Sequence, residues 1–120
     1  DGGLVPQKGI YCIEPLGYLD FMALVSGARM ILTDSGGIQE ETTAKGIPCL
    51  TLRENTERPV TVSHGTNRIV GTNPATIVRE GLQILHSPLI ALPPPPLWDG
   101  HAAERIVEIL RQCVQKKQSA

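Results

Sequence analysis

The sequence predicts an α/β fold with a doubly wound parallel sheet, and two observations predict it. Short apolar runs alternate with helical patterns along the 120 residues, which is the order expected of strands joined by crossover helices. The apolar run at residues 29–33 is also followed closely by a helical pattern, which opens with two glycines at residues 36 and 37. A strand that turns directly into a helix is typical of parallel α/β sheets. At such a junction the first N–H groups of the helix have no partner within the helix.

Four strands are predicted, and each is a short apolar run. They cover residues 9–15, 29–33, 48–52 and 66–71. The first ends at Pro15, which cannot continue a ladder of hydrogen bonds. Residues 53–59 are polar and irregular, and residues 60–64 fit either a turn of helix or an extended segment.

Four helices are predicted between and after the strands. They cover residues 18–26, 36–45, 75–85 and 101–114. Gly27 and Gly46 follow the first two as C-terminal caps. Asn73 is a favourable N-cap for the third helix, and Pro74 a favourable first residue. The fourth is amphipathic, with its buried side predicted at Ile106, Val107, Ile109 and Leu110.

The ends of the chain and one internal segment lack regular patterns. Residues 1–8 are rich in glycine and are typical of a linker or of a cut within a longer chain. Residues 88–100 form a proline-rich linker, in which residues 93–96 are predicted to be a polyproline II spacer. The polar tail at residues 115–120 is predicted to fray.

Composition excludes several classes of function. The formal net charge of −1 gives no attraction to nucleic acid or anionic membranes, and four aromatic residues offer no stacking platform. No apolar run reaches the length of a transmembrane helix. Three widely spaced cysteines without a CxxC pair, at Cys12, Cys49 and Cys113, do not indicate a zinc site or a disulfide framework. We therefore expect no metal, no membrane partner and no nucleic acid, and a cytoplasmic protein in which Cys12 and Cys49 are buried.

Ligands of such sheets bind where the carboxyl ends of the strands meet. Three loops of this chain end there: residues 34–37, residues 53–59 and the segment after Glu14. In the first loop, Gly36 and Gly37 remove side chains where a phosphate would approach the backbone, and Ser35 adds a hydroxyl donor. The alternative is an ordinary strand-to-helix turn without a ligand.

The neighbouring charges fit a nucleotide diphosphate. Glu40 and Glu41 follow the glycines, and a carboxylate there can accept hydrogen bonds from ribose hydroxyls. Arg58, in the second loop, can supply the cation that a diphosphate needs. The alternatives are stabilisation of the helix N-terminus by the glutamates and a solvated loop arginine.

Several motifs, in this order and spacing, resemble the non-hydrolysing bacterial UDP-N-acetylglucosamine 2-epimerases. The motifs are residues 14–21, 33–41, 46–50, 53–59, 65–71 and 99–106. The resemblance covers residues 9–110. It implies the C-terminal, Rossmann-like half of a GT-B-type enzyme that interconverts UDP-N-acetylglucosamine and UDP-N-acetylmannosamine without a cofactor. It also implies a UDP site at Leu16, Phe21, Ser35, Gly36, Gly37, Glu41 and Arg58.

The resemblance places the catalytic acid–base residues outside this chain. In the family they come mainly from the N-terminal domain, and a histidine that contacts the diphosphate precedes the first motif. His64, His86 and His101 do not match that histidine and are predicted to be surface or packing residues. The chain thus resembles a partial UDP-binding domain without its first strand–helix units, with the missing domain and a second copy as possible partners. The sheet is expected to have a gap or an uncovered edge at that place.

Two other functions fit the same residues. One is half of a GT-B glycosyltransferase, which would bind UDP in the same way but transfer the sugar. The other is a non-catalytic module that binds UDP-sugars or assembles with another protein. The loop at residues 56–59 and the spacing of the motifs favour the epimerase over the glycosyltransferase.

Overall fold

The computed structural model describes residues 8–88 and 92–118, and in them a parallel sheet is covered on both faces. Its strands are β1 (Ile31–Thr33), β2 (Cys49–Thr51) and β3 (Asn67–Ile69), in the order β1-β2-β3. The helices are α1 (Tyr18–Ser26), α2 (Gly36–Lys45), α3 (Pro59–Ser63), α4 (Pro74–His86) and α5 (Ala102–Gln118). The predicted doubly wound parallel α/β fold is confirmed, with strands shorter than the apolar runs that contain them.

The central strand β2 is enclosed completely. Its three residues are 0% exposed, and it pairs in parallel with both neighbours, Cys49 facing Ile31 on one side and Asn67 on the other. Successive side chains of a strand point to opposite faces of the sheet. Cys49 and Thr51 therefore face one layer of helices, and Leu50 faces the other.

Two apolar clusters follow from this alternation. On the face of Ile31, the α1 residues Met22 and Val25 pack with Ile47, which leads into β2. On the opposite face, Leu50 and Val70 pack with Ile84 of α4. The helices thus cover both faces of the sheet, and their apolar contacts fix how α1 and α4 lie on it.

The predicted helix ends are formed by local hydrogen bonds. Gly46 ends α2 in the left-handed conformation at φ 69°, and its N–H donates to Thr42 and Thr43 carbonyls. Asn73 begins α4, where its side chain accepts hydrogen bonds from the N–H groups of Ala75 and Thr76. Residues 60–64, for which two conformations were open, lie mostly within the short helix α3.

The strand predicted at residues 9–15 is absent, so that prediction is wrong. The segment has no regular structure, and Ile10, Tyr11 and Ile13 are 54%, 87% and 62% exposed. Cys12 is exposed as well, against the prediction that it is buried, whereas Cys49 is buried as predicted. A strand needs a neighbour for its N–H and C=O groups. Within the described ranges this segment pairs with none, and β1 has β2 as its sheet neighbour.

The last helix is longer than predicted and does not bury its apolar side. It extends to Gln118, so the prediction of a frayed tail is wrong for residues 115–118, while residues 119–120 lie outside the described part. The four apolar residues predicted to be buried are 53–59% exposed: Ile106, Val107, Ile109 and Leu110. The amphipathic pattern predicts the helix correctly, but no described element packs against that side.

The two predicted linkers are only partly described. Residues 92–96 have no helix or strand, as the proline run predicts, and residues 89–91 lie outside the described part. Of the linker predicted at residues 1–8, only Lys8 is described, in a turn. Whether these segments separate domains stays a prediction.

Candidate functional site

The first turn of α2 begins directly after the carboxyl end of β1. Ser35 is its N-cap, with an extended backbone at φ −82° and ψ 127°, and its side chain caps no N–H group of the helix. The N–H of Ser35 is instead turned back to Oγ1 of Thr33, at 3.1 Å. In a capped helix the side chain of the N-cap residue accepts a hydrogen bond from an N–H group of the first turn. Here the hydroxyl of Ser35 makes no such bond to α2.

The fold does not require glycine at positions 36 and 37. Neither residue has a positive φ. A Cβ at Gly36 would find its nearest atom, Cγ of Arg58, at 4.0 Å, and one at Gly37 would find Oγ of Ser35 at 4.0 Å. Both are ordinary contacts, and alanine stabilises a helix relative to glycine. The two glycines instead leave the backbone of this turn open.

Arg58 lies over the same turn. Its Nε is 3.0 Å from Oε1 of Glu40, and the two side chains are 44% and 42% exposed. The pair connects the loop after β2 to Glu40, which follows the first turn of α2. The structure thus brings Arg58, Ser35 and the two glycines together, as the sequence predicts, and it joins Glu40 to the arginine.

Glu41 lies on the other side of the turn, toward α1. Its Oε1 accepts a hydrogen bond of 3.0 Å from the hydroxyl of Tyr18. That hydrogen bond, together with the negative charge of the carboxylate, raises the pKa of Tyr18 above its usual value. Glu40 and Glu41 therefore have different partners, Arg58 and Tyr18.

Phe21 lies one turn along α1 and lines an apolar cleft. The cleft has a volume of about 550 Å³ and reaches Ile31, Thr33 and Ile38, beside the start of α2. Phe21 itself is partly buried against the α1 core. Leu16 is 42% exposed and does not line this cleft, so the structure does not bring it together with the other predicted residues.

Several polar residues near the turn were missed by the sequence analysis. Tyr18 is the first residue of the largely apolar helix α1, and its hydroxyl donates a hydrogen bond to Glu41. Gln39 and Asn67 are 0% and 3% exposed and bond to each other, and Gln39 also accepts a hydrogen bond from Thr56 in the loop of Arg58. The one available signal was the position of Gln39, one turn after the N-cap on the side of α2 that faces the sheet.

The histidines lie on the surface, as predicted. All three are exposed; Nδ1 of His64 contacts Oγ of Ser63 at 2.8 Å, and Nδ1 of His101 contacts Glu104 at 3.0 Å. Within residues 8–88 and 92–118, no group of three or more His, Cys, Asp or Glu side chains could hold a metal ion. No helix in that part of the chain is both long and apolar enough to span a membrane.

Comparisons with known proteins agree on one family. Residues 3–111 match the family model described as UDP-N-acetylglucosamine 2-epimerase. A curated UDP-N-acetylglucosamine 2-epimerase from Methanocaldococcus jannaschii is 45% identical over 107 residues, which are 89% of this chain and 29% of that protein. The chain thus spans about 29% of the length of that relative.

Solved structures of such proteins have the same fold. The crystal structure of the M. jannaschii enzyme in complex with UDP-GlcNAc and UDP matches with a TM-score of 0.71 and 45% identity. The match covers 83% of this chain and 27% of that one. The Neisseria meningitidis enzyme bound to UDP-GlcNAc matches with a TM-score of 0.71 and 40% identity, over 83% of this chain and 28% of that one. Both agree with the predicted GT-B-type architecture.

Proposed function

This chain belongs to the UDP-N-acetylglucosamine 2-epimerase family, and we propose that it forms the UDP-binding part of such an enzyme. The reaction of the whole protein is then the interconversion of UDP-N-acetylglucosamine and UDP-N-acetylmannosamine. Solved relatives bind UDP-GlcNAc and UDP, and this supports the same ligands here. The chain spans about 29% of the matched relative's length, so the remainder of the enzyme is proposed to lie outside it.

One observation carries the proposal: Arg58 lies beside Gly36, the first of two consecutive glycines that the fold does not require. Its side chain crosses the start of α2, because a Cβ at Gly36 would lie 4.0 Å from Cγ of Arg58 and the Nε of Arg58 lies 3.0 Å from Oε1 of Glu40. There the N–H groups and the dipole of the helix favour an anion. A diphosphate at this place would contact Ser35, Gly36 and Gly37 on one side and Arg58 on the other. Arg58 would then either contact Glu40 and the diphosphate at the same time or break its ion pair with Glu40.

Contacts to the ribose and the uracil are proposed for Glu41 and Phe21, which lie next to the turn. Glu41 is proposed to accept hydrogen bonds from the ribose hydroxyls, because it lies toward α1 and away from the arginine. Phe21 lines the adjacent apolar cleft and is proposed to contact the uracil ring. The main chain at Leu16 is proposed to complete the uridine contacts. The segment of Leu16 would have to close over the cleft, since it does not line the cleft in this structure.

The acid–base chemistry is proposed to come from outside this chain. Epimerisation at C2 removes a proton from the sugar and returns one on the opposite face. Glu40 and Glu41 are engaged with Arg58 and Tyr18, and the three histidines lie on the surface. An N-terminal domain across the crevice, preceded by further strand–helix units, would supply the groups. The exposed apolar side of α5 and the exposed segment 9–15 would suit contacts with those parts or with a second copy.

The cytoplasm is proposed as the site of action. Cys12, Cys49 and Cys113 are free thiols in the structure, and two of them are exposed. A reducing compartment keeps such thiols free.

Calorimetric titration with UDP tests the site in the protein that carries this chain. Arg58→Ala is expected to weaken binding about 10- to 100-fold, since it removes a charged hydrogen-bond donor. Ser35→Ala and Glu41→Ala are expected to weaken binding about 5- to 10-fold each. Arg79→Ala is the matched control, because Arg79 is an exposed arginine of α4 that also pairs with a glutamate. Unchanged affinity in all three site variants would overturn the proposal.

A further inference from the structure

A cluster of buried polar side chains connects α2 to the sheet. Its members Gln39, Thr51, Thr61 and Asn67 are at most 3% exposed. Nδ2 of Asn67 donates to Oε1 of Gln39 at 3.1 Å and to Oγ1 of Thr61 at 3.0 Å, and Oδ1 of Asn67 accepts from Thr51 at 2.6 Å. Asn67 is therefore bonded to the helix, to α3 and to the neighbouring strand at once.

Stability alone does not explain Gln39. Among the residues that the structure describes, its Nε2 is buried without a hydrogen-bond partner, and an unpaired buried N–H opposes folding. An apolar residue of similar size would avoid that cost. Departures of this kind from the best local choice are expected at functional sites, and the contacts of Oε1 of Gln39 indicate the function.

Those contacts lead to the main chain of Arg58. Oε1 of Gln39 accepts a hydrogen bond of 2.6 Å from Oγ1 of Thr56, and the same Oγ1 accepts one of 2.9 Å from the N–H of Arg58. On the other side of the residue, Oγ1 of Thr61 donates to the carbonyl oxygen of Arg58 at 2.7 Å. Both polar groups of the Arg58 backbone are thus bonded to threonines: the N–H to Thr56, which contacts the buried cluster through Gln39, and the carbonyl to Thr61, a member of the cluster.

The side chain of Arg58 is fixed less firmly than its backbone. Its ion pair with Glu40 is more than two-fifths exposed on both sides, and exposed pairs of this kind contribute little. The position of the guanidinium group beside Glu40 therefore depends on where the backbone of residue 58 is anchored. That anchor is the chain from Gln39 through Thr56.

We propose that Gln39 and Asn67 are positioning residues, which act through Thr56 and Thr61 to place Arg58 over the phosphate-binding turn. The proposal rests on the proposed function, because it concerns the residue that binds the diphosphate. A prearranged arginine binds with a smaller loss of conformational freedom than one on a mobile loop. The competing explanation is a cluster that only stabilises the fold.

Thr56→Val separates the two explanations, since it keeps the shape of the side chain and removes the hydroxyl between Gln39 and Arg58. We expect UDP affinity to fall about fivefold to tenfold and Thr56→Ser to restore it. The matched control is Thr66→Val. Thr66 is equally half-buried, and its hydroxyl donates to the carbonyl of Ile47 at 2.6 Å, at the opposite end of the strands. That control is expected to lower the melting temperature similarly and to leave UDP affinity unchanged.

A double-mutant cycle with Arg58→Ala tests whether Thr56 acts through the arginine. In that background Thr56→Val is expected to cause no further loss of affinity, and the same holds for Gln39→Met if it folds. A full additional loss would overturn the positioning role, as would unchanged affinity in Thr56→Val alone while Arg58→Ala weakens binding. If Arg58→Ala itself has no effect, the assignment of Arg58 under the proposed function fails, which is a distinguishable result.

Discussion

The hydroxyl of Tyr18 donates a hydrogen bond of 3.0 Å to Oε1 of Glu41. The two residues are 23 positions apart in the chain, one in the first turn of α1 and the other in α2. The bond connects the helix that carries Phe21 with the carboxylate proposed to bind the ribose. The base side and the ribose side of the proposed nucleotide site are therefore linked by one polar contact.

This contact predicts an abnormal titration of Tyr18. The hydrogen bond from Tyr18 to Glu41 is lost when the phenol ionises, so the pKa of Tyr18 is raised above 10.0. The bond therefore stabilises the folded state fully below pH 10.0. This contribution disappears as the pH rises through the pKa of folded Tyr18. Ultraviolet titration of wild type against Tyr18→Phe should show one tyrosine that ionises late. Glu41→Gln should bring its pKa back toward the usual value, and an unaltered curve in that variant would contradict the contact.

Gly37→Ala is predicted to separate stability from binding. The fold accepts the added methyl group, whose nearest atom lies at 4.0 Å, and the helix gains up to about 1 kcal/mol. UDP affinity should fall at least about tenfold, because the methyl group occupies the approach to the backbone. Denaturant unfolding and calorimetry measure the two quantities.

The control for that variant is Gly81→Ala, a glycine within α4 on the opposite face of the sheet. Its added Cβ would meet Cε of Met30 at 3.3 Å, a contact that requires a small adjustment. This variant is expected to gain no stability and to leave UDP affinity unchanged. If both variants weakened binding equally, the effect would not be specific to the turn.

Features set by neighbouring residues were predictable from the sequence. Gly46 and Asn73 cap their helices as expected, because a cap depends on a few consecutive residues. The meeting of Arg58 with Gly36 was predictable from topology, since both follow strands whose carboxyl ends share one edge of the sheet.

Features set by distant packing were not predictable. The apolar pattern of residues 9–15 indicates a strand but not its partner, and the segment forms none here. Gln39 is polar in sequence, yet the packing of α2 buries it against Asn67, 28 residues away. The bond of Tyr18 to Glu41 joins residues 23 positions apart, and it depends on how α1 and α2 are placed.

Gly65→Ala is predicted to destabilise the fold by about 1–3 kcal/mol. A Cβ there would lie 2.4 Å from the carbonyl oxygen of Thr61 and 2.5 Å from Cγ2 of Thr43. The first atom belongs to the backbone of α3 and cannot rotate away. Gly17→Ala is the control, since a Cβ at Gly17 would meet nothing within 4 Å and φ is −61°. Equal denaturation midpoints for the two variants would contradict the close packing at Gly65.

Acidification is predicted to loosen the start of α5. The side chain of Arg105 and the N–H of His101 donate hydrogen bonds to Asp99 and lower the pKa of its carboxyl group to about 2. Because the folded pKa lies below the usual 3.8, this contribution is present above pH 3.8 and is lost as the pH falls toward 2.

Amide exchange and carboxyl chemical shifts by NMR measure the change at Asp99. Asp99→Asn should loosen the first turn of α5 already at neutral pH. Glu108→Gln is the control, since Glu108 contacts Gln112 further along the same helix, and it should leave that turn unchanged. A normal titration of Asp99 would exclude the ion pair with Arg105.

The exposure of segment 9–15 predicts how fast a thiol reagent labels Cys12 in this chain and in a longer protein that contains it. In this chain Cys12 and Cys113 are exposed, whereas burial encloses Cys49 and raises the pKa of its thiol. A thiol reagent at neutral pH should therefore label Cys12 rapidly and Cys49 only on unfolding, because the accessible thiolate is the reactive species. In a longer protein that supplies the proposed further strands, residues 9–15 would pair with them and Cys12 would become protected. Mass spectrometry of the labelled peptides compares the two proteins, with Cys49 as the protected reference. Rapid labelling of Cys12 in the longer protein would contradict the proposal that strands absent from this chain cover that segment.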